Sequence, residues 1–304
     1  MALPAAGSQT ITKIIRELVW GTTPATTPTF LQLPIESNSL QLTKTTLTDN
    51  TLISTRMGGD IRPGMRKVAG DLKFNYRTGD FDDLLANLFQ AEWATNNLKP
   101  GKTPISHSIE TGYTDISQFV IFKGLQANTF TLSVKPDSLI TATMGFIGKD
   151  QGAFSATTGA TTTTAVTGKE AFDSFTGSMT EGGSAIATVT GIDLAYTNNL
   201  TESQVLFSNT IGGLLAGNIG LTGTLIAQFL DATLYNKFLN GTSSSLAFTL
   251  TGTDSKIHTW TIPKVLYTSG DIAPSGPGEL SLSLKFNAQY NSSTTNKVSI
   301  DRTV

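Results

Sequence analysis

The side chains best suited to chemistry in this sequence are two histidines and three closely spaced aspartates. His107 and His258 have the side chain that titrates nearest neutral pH, and Asp80, Asp82 and Asp83 could hold a cation or form an acid pair. Neither histidine has a nucleophile or a metal-ligand pattern beside it. The aspartates open a segment with helical apolar spacing, where carboxylates complement the positive end of the helix dipole. We therefore interpret all five side chains as structural.

Motifs for other kinds of catalysis are missing from the sequence. The chain has no Cys, which excludes disulfides, thiolate zinc sites and cysteine nucleophiles. Gly168-Lys169 is followed by Glu170, and Thr163 stands where a phosphate-binding loop requires Gly. No Gly-x-Ser-x-Gly or His-Glu-x-x-His pattern occurs. We predict that the protein is not an enzyme and has no catalytic residue, metal or cofactor.

One basic, glycine-bearing stretch contains Arg56, Arg62 and Arg66, followed by Lys67. Guanidinium groups bind carboxylates in a forked geometry, so these residues could form salt bridges to a neighbouring chain. An ordinary solvated loop is an equally good interpretation. We keep Arg56, Arg62 and Arg66 as candidates for a subunit interface.

The elements that position these residues are predicted to be β-strands. The chain has 49 Thr residues, whose β-branched side chains favour strands over helices. Only 14% of the residues are charged, which predicts that much of the surface is hidden in an assembly. The net charge of -2 also argues against a basic nucleic-acid-binding protein.

The composition divides the chain into four segments. Residues 1–36 form an N-terminal arm, in which the amphipathic piece from Ile11 to Leu18 is expected to be helical and to end before Gly21 and Pro24. Residues 37–150 and 188–304 form two strand-rich blocks, the second with a C-terminal tail. Residues 151–187 form a Ser/Thr/Gly-rich linker or surface loop.

The two strand-rich blocks show the same order of patterns. Gly70 and Gly223 each lead an alternating strand, and a segment of helical spacing starts at Asp80 in one block and at Asp231 in the other. We therefore predict a mainly β fold of two tandem antiparallel β-sandwich or barrel cores, each with one flanking α-helix. A chance similarity between two β-rich halves is the alternative.

A family resemblance rests on several of these segments. The segment from Glu17 to Pro24 (Glu-Leu-Val-Trp-Gly-Thr-Thr-Pro) resembles the opening of the tail tube, or major tail, proteins of long non-contractile-tailed phages. Further similarity lies in the Leu40-Gln-Leu strand, in Arg56 after a Thr-Leu-Ile-Ser-Thr run, in Gly70 before a strand, and in the segment from Leu84 to Trp93. The resemblance is strongest over residues 10–150. Glu17, Gly21 and Pro24 of the opening motif join the candidate interface residues.

The resemblance implies a structural virion protein. In such proteins, rings of six β-cores stack into a hollow tail tube, whose inner wall is a continuous β-barrel through which the genomic DNA passes. A chain with two tandem cores would form a trimeric ring with pseudo-six-fold symmetry, and a hexameric ring is the alternative. The implied partners are further copies of the chain, the tape-measure protein, and the tail terminator and tip proteins. DNA would be present only in transit, so the lumen is expected to be weakly negative.

The implied location is the tail of the virion, without a membrane. The first seven residues lack the basic and apolar regions of a secretory signal peptide, so assembly is expected in the host bacterial cytoplasm. The N-terminal arm and the mid-chain loop are candidates for reaching the next ring. Alternative functions are the inner tube of a contractile tail or injection machine and, less well supported, a Thr-rich β surface adhesin.

Overall fold

The computed structural model of the protein describes residues 4–51, 57, 59–272 and 278–303. After a 3-10 turn at Gly7–Gln9, the elements up to residue 151 are β1 (Thr10–Arg16), β2 (Thr29–Leu33), β3 (Ser37–Asn38), β4 (Gln41–Thr48), β5 (Ile61–Asn75), α1 (Asp82–Phe89), β6 (Asn97–Leu98), β7 (His107–Tyr113), β8 (Gln118–Val134), β9 (Thr141–Gly148) and β10 (Asp150–Gln151). The later elements are β11 (Thr162–Thr164), β12 (Gly177–Glu181), β13 (Ser184–Ala185), β14 (Val189–Thr197), β15 (Thr201–Ser203), β16 (Gly213–Leu215), β17 (Gly220–Gln228), α2 (Thr233–Leu239), β18 (Ser244–Thr251), β19 (Ile257–Asp271), β20 (Ser281–Ala288) and β21 (Ser299–Arg302). The fold is mainly β, as the sequence predicts.

Two sets of five strands have the same antiparallel connectivity. In the first repeat the strand order is β4, β5, β9, β8, β7, with α1 between β5 and β7 along the chain. The order in the second repeat is β14, β17, β20, β19, β18, with α2 between β17 and β18. An outer strand is added to each, β1 beside β7 and β12 beside β18. The chain therefore consists of two tandem β-cores, each with one flanking helix.

The two repeats agree in register as well as in connectivity. Gly70 of β5 lies opposite Phe146 of β9, and Gly223 of β17 lies opposite Phe286 of β20. At Gly223 an added Cβ would lie 2.5 Å from the Phe286 ring, so a side chain there would displace that ring. Glycine at this position of the second repeat thus lets an aromatic side chain lie flat across the neighbouring strand.

A β-bulge occurs at the same place in both repeats. The register of β8 against β9 shifts between Ala127 and Thr129, and that of β19 against β20 shifts between Tyr267 and Ser269. A bulge bends a strand and increases its twist. The long strands β8 and β19 can therefore serve two sheets, with their N-terminal halves beside β7 and β18 and their C-terminal halves in a second sheet.

That second sheet, which we call the wall sheet, runs through both repeats. The C-terminal half of β8 pairs with β14, so the order is β4, β5, β9, β8, β14, β17, β20, β19. The sheet is open, and one hydrophobic core underlies both repeats. Trp260 lies at its centre, stacked against Phe130 (ring centroids 5.7 Å apart) and Phe248 (6.2 Å) and edge-on to Phe89. The repeats are thus fused by both backbone pairing and aromatic packing.

The prediction of a helix between Ile11 and Leu18 is wrong, because residues 10–16 form strand β1. Five of its seven residues are β-branched, and both of its edges are paired: Thr12 lies opposite Leu33 of β2 and opposite Thr111 of β7. This part of the predicted arm is therefore an integral strand of the first repeat. Strands β11, β12 and β13 likewise lie within residues 151–187, which the sequence assigned to a linker or loop.

Both predicted helices are present, but their first turns differ from expectation. Helix α1 begins at Asp82 and α2 at Thr233, and neither preceding residue supplies a side-chain cap. Asp80 instead accepts a hydrogen bond from the Thr167 backbone N–H (2.8 Å), and Asp231 accepts one from the Thr233 N–H (2.8 Å). Neither helix of the described chain has the length and apolar character needed to cross a lipid bilayer.

Candidate subunit interface

Glu17 is buried, and its carboxylate is fully hydrogen-bonded within the chain. Oε2 accepts from the Gly21 N–H and the Ser106 hydroxyl (both 2.7 Å). Oε1 accepts from the Ser108 hydroxyl (2.7 Å) and the Gly124 N–H (2.8 Å). Hydrogen bonds to an ionised acceptor are the stronger kind. Glu17 therefore pins the turn after β1 against β7 and against the middle of β8.

Gly21 and its neighbour Trp20 complete this anchor. Gly21 has φ +75 and Gly124 has φ +70, a backbone region that favours glycine. The Trp20 indole N–H donates to the Gly124 carbonyl (3.0 Å), and the Lys149 ammonium lies 4.9 Å above the indole ring. These contacts explain why Glu and Gly stand four residues apart. Pro24 follows in the connection to β2, partly buried. A role of Glu17, Gly21 and Pro24 in contacts between chains stays a prediction.

The arginines of the basic stretch are separated by the structure. Arg62 is exposed on β5, opposite Leu47. The Arg66 guanidinium instead forms an ion pair with Asp150 of the same chain (2.7 Å). Arg56 lies outside the described residues. Since Arg66 already has an intrachain carboxylate, Arg62 is the stronger of the two candidates for a contact with another chain.

A loop of the second repeat, residues 198–219, lies against β5 of the first. The Lys67 ammonium pairs with Glu202 (2.6 Å), and the Arg66 N–H donates to the Asn209 carbonyl (2.9 Å). At the tip of this loop, between β15 and β16, Leu206 and Phe207 are largely exposed, with Phe207 held at φ +63. This apolar tip was not predicted, although the run Val-Leu-Phe flanked by polar residues is its signal in the sequence.

The two histidines are buried packing groups. Burial lowers the pKa of His107 to about 3 and that of His258 to about 4, because the charged form loses its hydration. The Asn87 amide donates to Nδ1 of His107 (2.8 Å), and the Tyr76 hydroxyl lies 2.7 Å from Nδ1 of His258. Both rings are therefore neutral at pH 7, and they lie in different parts of the core.

The aspartates at the start of α1 tie the C-terminal strand to the helix. The Asp82 carboxylate pairs with the Arg302 guanidinium, which lies 4.0 Å above the Trp93 ring. Burial raises the pKa of Asp82 and of Asp83. Within the described ranges, no three His, Cys, Asp or Glu side chains are grouped so that they could hold a metal ion. These contacts fit the structural interpretation of the aspartates.

The joint between the two repeats is an edge-to-edge strand pairing. Thr129 of β8 lies opposite Thr197 of β14, and Phe130 opposite Tyr196. Beneath the joint, the Asn198 amide donates to the carbonyls of Leu88 (2.7 Å) and Ala127 (2.8 Å), at the end of α1 and at the bulge. Backbone, side-chain hydrogen bonds and aromatic packing therefore all contribute to it.

The outer edges of the wall sheet lack the pairing that the joint has. Of the described strands, β5 alone pairs with β4, whose residues are exposed at seven of eight positions. At the other end of the sheet, β18 pairs with β19 only up to Val265. From Leu266 to Asp271, one edge of β19 therefore has no partner among the described strands. A long, nearly uncharged edge such as β4 is a template for pairing with another chain.

Two fused β-repeats whose common sheet has an unpaired edge at each end are typical of a structural β-protein. A comparison with protein-family models matches residues 7–288 to the family described as phage tail tube protein. The match covers most of the chain, which therefore belongs to this family. No curated protein matches it. Membership implies a structural role in the tube of a phage tail, self-assembly into that tube, and a location in the virion tail.

Proposed function

We propose that three copies of this chain form a ring with pseudo-six-fold symmetry, and that stacked rings make the hollow tube through which the phage DNA passes. The observation that carries the proposal is the β8–β14 joint. It fuses two equivalent repeats side by side and leaves the corresponding edges, β4 and β19, unpaired. Three further joints of the same kind would close six repeats into a ring without a free edge.

The dimensions of such a ring suit its proposed cargo. Each repeat contributes four strands to the wall sheet, so three chains contribute 24. With strands about 4.8 Å apart and tilted by about 40°, a closed barrel of this size has a backbone diameter of about 48 Å. After side chains are allowed for, a lumen wider than a DNA duplex remains. Six chains would give a barrel of twice that diameter.

The face of the wall sheet that points away from the core is the proposed lumen. Strand alternation places many hydroxyl side chains on it: Thr43, Thr129, Thr131, Ser133, Thr141, Thr143, Thr197, Thr222, Thr224, Ser269, Ser281 and Ser283. Asp71, Asp193 and Asp271 share this face with Lys67, Lys73 and Lys285. Arg62, opposite Leu47 near the start of β5, is the one Arg on this face among the described wall strands. A hydroxyl-lined surface offers few charges to retain a passing polyanion.

Carboxylates offset the positive charges on this face. Lys67 is paired with Glu202 (2.6 Å) and Lys73 with Glu36 (2.7 Å), so two of the three lysines have a carboxylate partner. With Glu36 and Glu202 counted, five carboxylates stand against three lysines and Arg62, which supports the weakly negative lumen expected for DNA transit. It would repel phosphates slightly and so keep DNA mobile along the axis.

Contacts along the tube axis are proposed for the exposed tip at Leu206 and Phe207, for the N-terminal residues before β1, and for the mid-chain segment. The terminal rings would contact the tail terminator and tip proteins, and the lumen would hold the tape-measure protein before DNA enters. We place assembly in the cytoplasm of the host bacterium and assign the tube to a long non-contractile tail.

Electron microscopy of the purified protein tests this proposal. We expect tubes with a regular axial repeat, and a cross-section at subnanometre resolution with six similar lobes formed by three chains. Six complete chains per ring would replace the trimeric ring by the hexameric one. A sample that stays monomeric at every concentration would overturn the proposed function itself.

A further inference from the structure

The joint inside the chain contains a helix-to-strand contact as well as paired strands. Phe89, the last residue of α1, is 1% exposed and stacks on Tyr196 of β14, with ring centroids 5.4 Å apart. Tyr196 itself lies opposite Phe130 of β8. The helix of one repeat is thus covered by the first wall strand of the next repeat.

The second repeat has the same helix but no strand above it. Leu239, the last residue of α2, is 66% exposed, and α2 has no fully buried residue, whereas six of the eight residues of α1 are buried. Gly270 of β19 lies beside this helix, since an added Cβ would be 3.0 Å from the Phe238 ring and 3.2 Å from the Tyr235 ring. An apolar strip of α2 and the adjoining edge of β19 therefore lie open together.

The equivalent of Tyr196 in the first repeat is Leu42 of β4. Leu42 lies opposite Val68, two residues before Gly70, and Tyr196 lies opposite Leu221, two residues before Gly223. Leu42 is the one residue of β4 that is partly buried, and the other seven are exposed. Strand β4 therefore presents a single apolar side chain at the position that covers the helix in the internal joint.

We propose that β4 of a second copy of this chain pairs antiparallel with β19 in one fixed register and covers α2 with Leu42. Ser269 follows the bulge of β19 as Thr129 follows that of β8, and Thr129 lies opposite Thr197. Transferring this register to β4 places Thr43 opposite Ser269 and Leu42 opposite Gly270. By analogy with Tyr196, which covers Phe89 at the end of α1, Leu42 then lies over Leu239 at the end of α2. This joint rests on the proposed ring and specifies how its chains meet.

Disulfide trapping tests the register. In the internal joint the Asn198 N–H donates to the Asn128 carbonyl, so these two residues form a hydrogen-bonded pair. Hydrogen-bonded and non-hydrogen-bonded pairs alternate along an antiparallel ladder, so the adjacent pair, Thr129 and Thr197, is non-hydrogen-bonded. Thr43 and Ser269 then form a non-hydrogen-bonded pair, whose close Cβ atoms suit a disulfide. The chain has no Cys, so Thr43→Cys with Ser269→Cys has no background. We expect oxidation of assembled tubes to give covalent dimers and trimers on a non-reducing gel, ending at the trimer.

The matched control is Lys44→Cys with Ser269→Cys. It moves one sulfur to the opposite face of the strand, and we expect at least ten-fold less cross-linking. Tubes that form normally while Thr43→Cys with Ser269→Cys stays reduced under oxidant would overturn this joint and leave the proposed function standing. Absence of any assembly by the wild-type chain would instead overturn the proposed function. A ladder that continues to six chains would support the joint and replace the trimeric ring.

A second experiment tests the helix contact. Leu239→Asp changes an exposed residue, so the subunit should fold as the wild type does. It should raise the concentration needed for tube formation by about ten-fold or more, because a carboxylate then replaces a buried leucine in the joint. Leu47→Asp is the control: it introduces the same charge at a similarly exposed leucine, on β4 beyond the residues that pair with β19. Equal assembly of the Leu239→Asp and Leu47→Asp variants would refute the covering of α2.

Discussion

The anchor at Glu17 can be tested by replacing it with glutamine, which changes one oxygen to an amide nitrogen and keeps the shape. Each carboxylate oxygen accepts one backbone N–H, from Gly21 or from Gly124, and one serine hydroxyl. Whichever way the introduced amide turns, its NH2 group faces the backbone N–H of Gly21 or of Gly124, and cannot accept a hydrogen bond from it. A hydroxyl can rotate to accept a hydrogen bond, but a backbone N–H cannot.

The size of the destabilisation expected for Glu17→Gln follows from these contacts. One buried donor left unsatisfied costs about 1–3 kcal/mol, and the remaining hydrogen bonds lose their charge assistance. Glutamine carries no charge, so burying it costs less free energy than burying the glutamate, and this offsets part of the loss. We therefore expect Glu17→Gln to lower the free energy of unfolding by about 2–4 kcal/mol. With a urea slope of about 3 kcal/mol/M, the unfolding midpoint would fall by about 1 M.

Urea unfolding followed by tryptophan fluorescence is the assay, and Glu92→Gln is the control. Glu92 also pairs with a cation, Arg16, but its side chain is 61% exposed. Removing its charge should cost less than about 1 kcal/mol. If Glu17→Gln destabilises the protein no more than Glu92→Gln does, the assignment of Glu17 as the anchor of this turn is refuted.

Three further predictions follow from the same contacts. The pKa values of His107 (about 3) and His258 (about 4) lie below the unfolded value of about 6.5, so the unfolded chain binds more protons. The contribution of the two neutral histidines to the free energy of unfolding is fully present above pH 6.5 and should fall by about 4 kcal/mol by pH 5. Equal urea midpoints at pH 8 and pH 5 would contradict this. Gly21→Ala should cost about 1–2 kcal/mol in the same assay, because φ +75 strains a residue with a Cβ, and wild-type stability would argue otherwise. Arg62→Glu should leave the urea midpoint unchanged and reduce the tube yield in electron micrographs. Arg66→Glu should also lower the midpoint, because it removes the ion pair with Asp150. An undiminished yield of tubes from Arg62→Glu would show that Arg62 is not part of the interface.

The repeat was predictable because its signals are local. Gly70 and Gly223 each begin an alternating run, and the structure places both opposite a phenylalanine of the neighbouring strand. Strand β1 was missed because its isoleucines fit helical spacing as well as a strand, and the pairing at both of its edges decides the outcome. Its density of β-branched residues was the signal that favoured a strand.

The site residues were harder to predict because their partners are distant in sequence. Glu17 binds Ser106, Ser108 and Gly124, roughly a hundred residues away, and Arg66 binds Asp150. Spacing within a motif cannot reveal such partners. The unpaired edges of β4 and β19 were equally invisible, because only the three-dimensional strand order shows which edge remains open.

The β8–β14 joint also has a kinetic consequence for assembly. In the proposed trimeric ring, the fusion of two repeats in one chain makes half of the six seams intramolecular, so closure requires the encounter of three bodies instead of six. Every bimolecular encounter removes translational and rotational freedom at a cost of about 4–15 kcal/mol. Two such losses, in place of five, permit nucleation at lower subunit concentration. The fusion also allows the two repeats of one chain to diverge in sequence. In the proposed ring, alternate lobes of the tube can therefore present different loops to the surroundings.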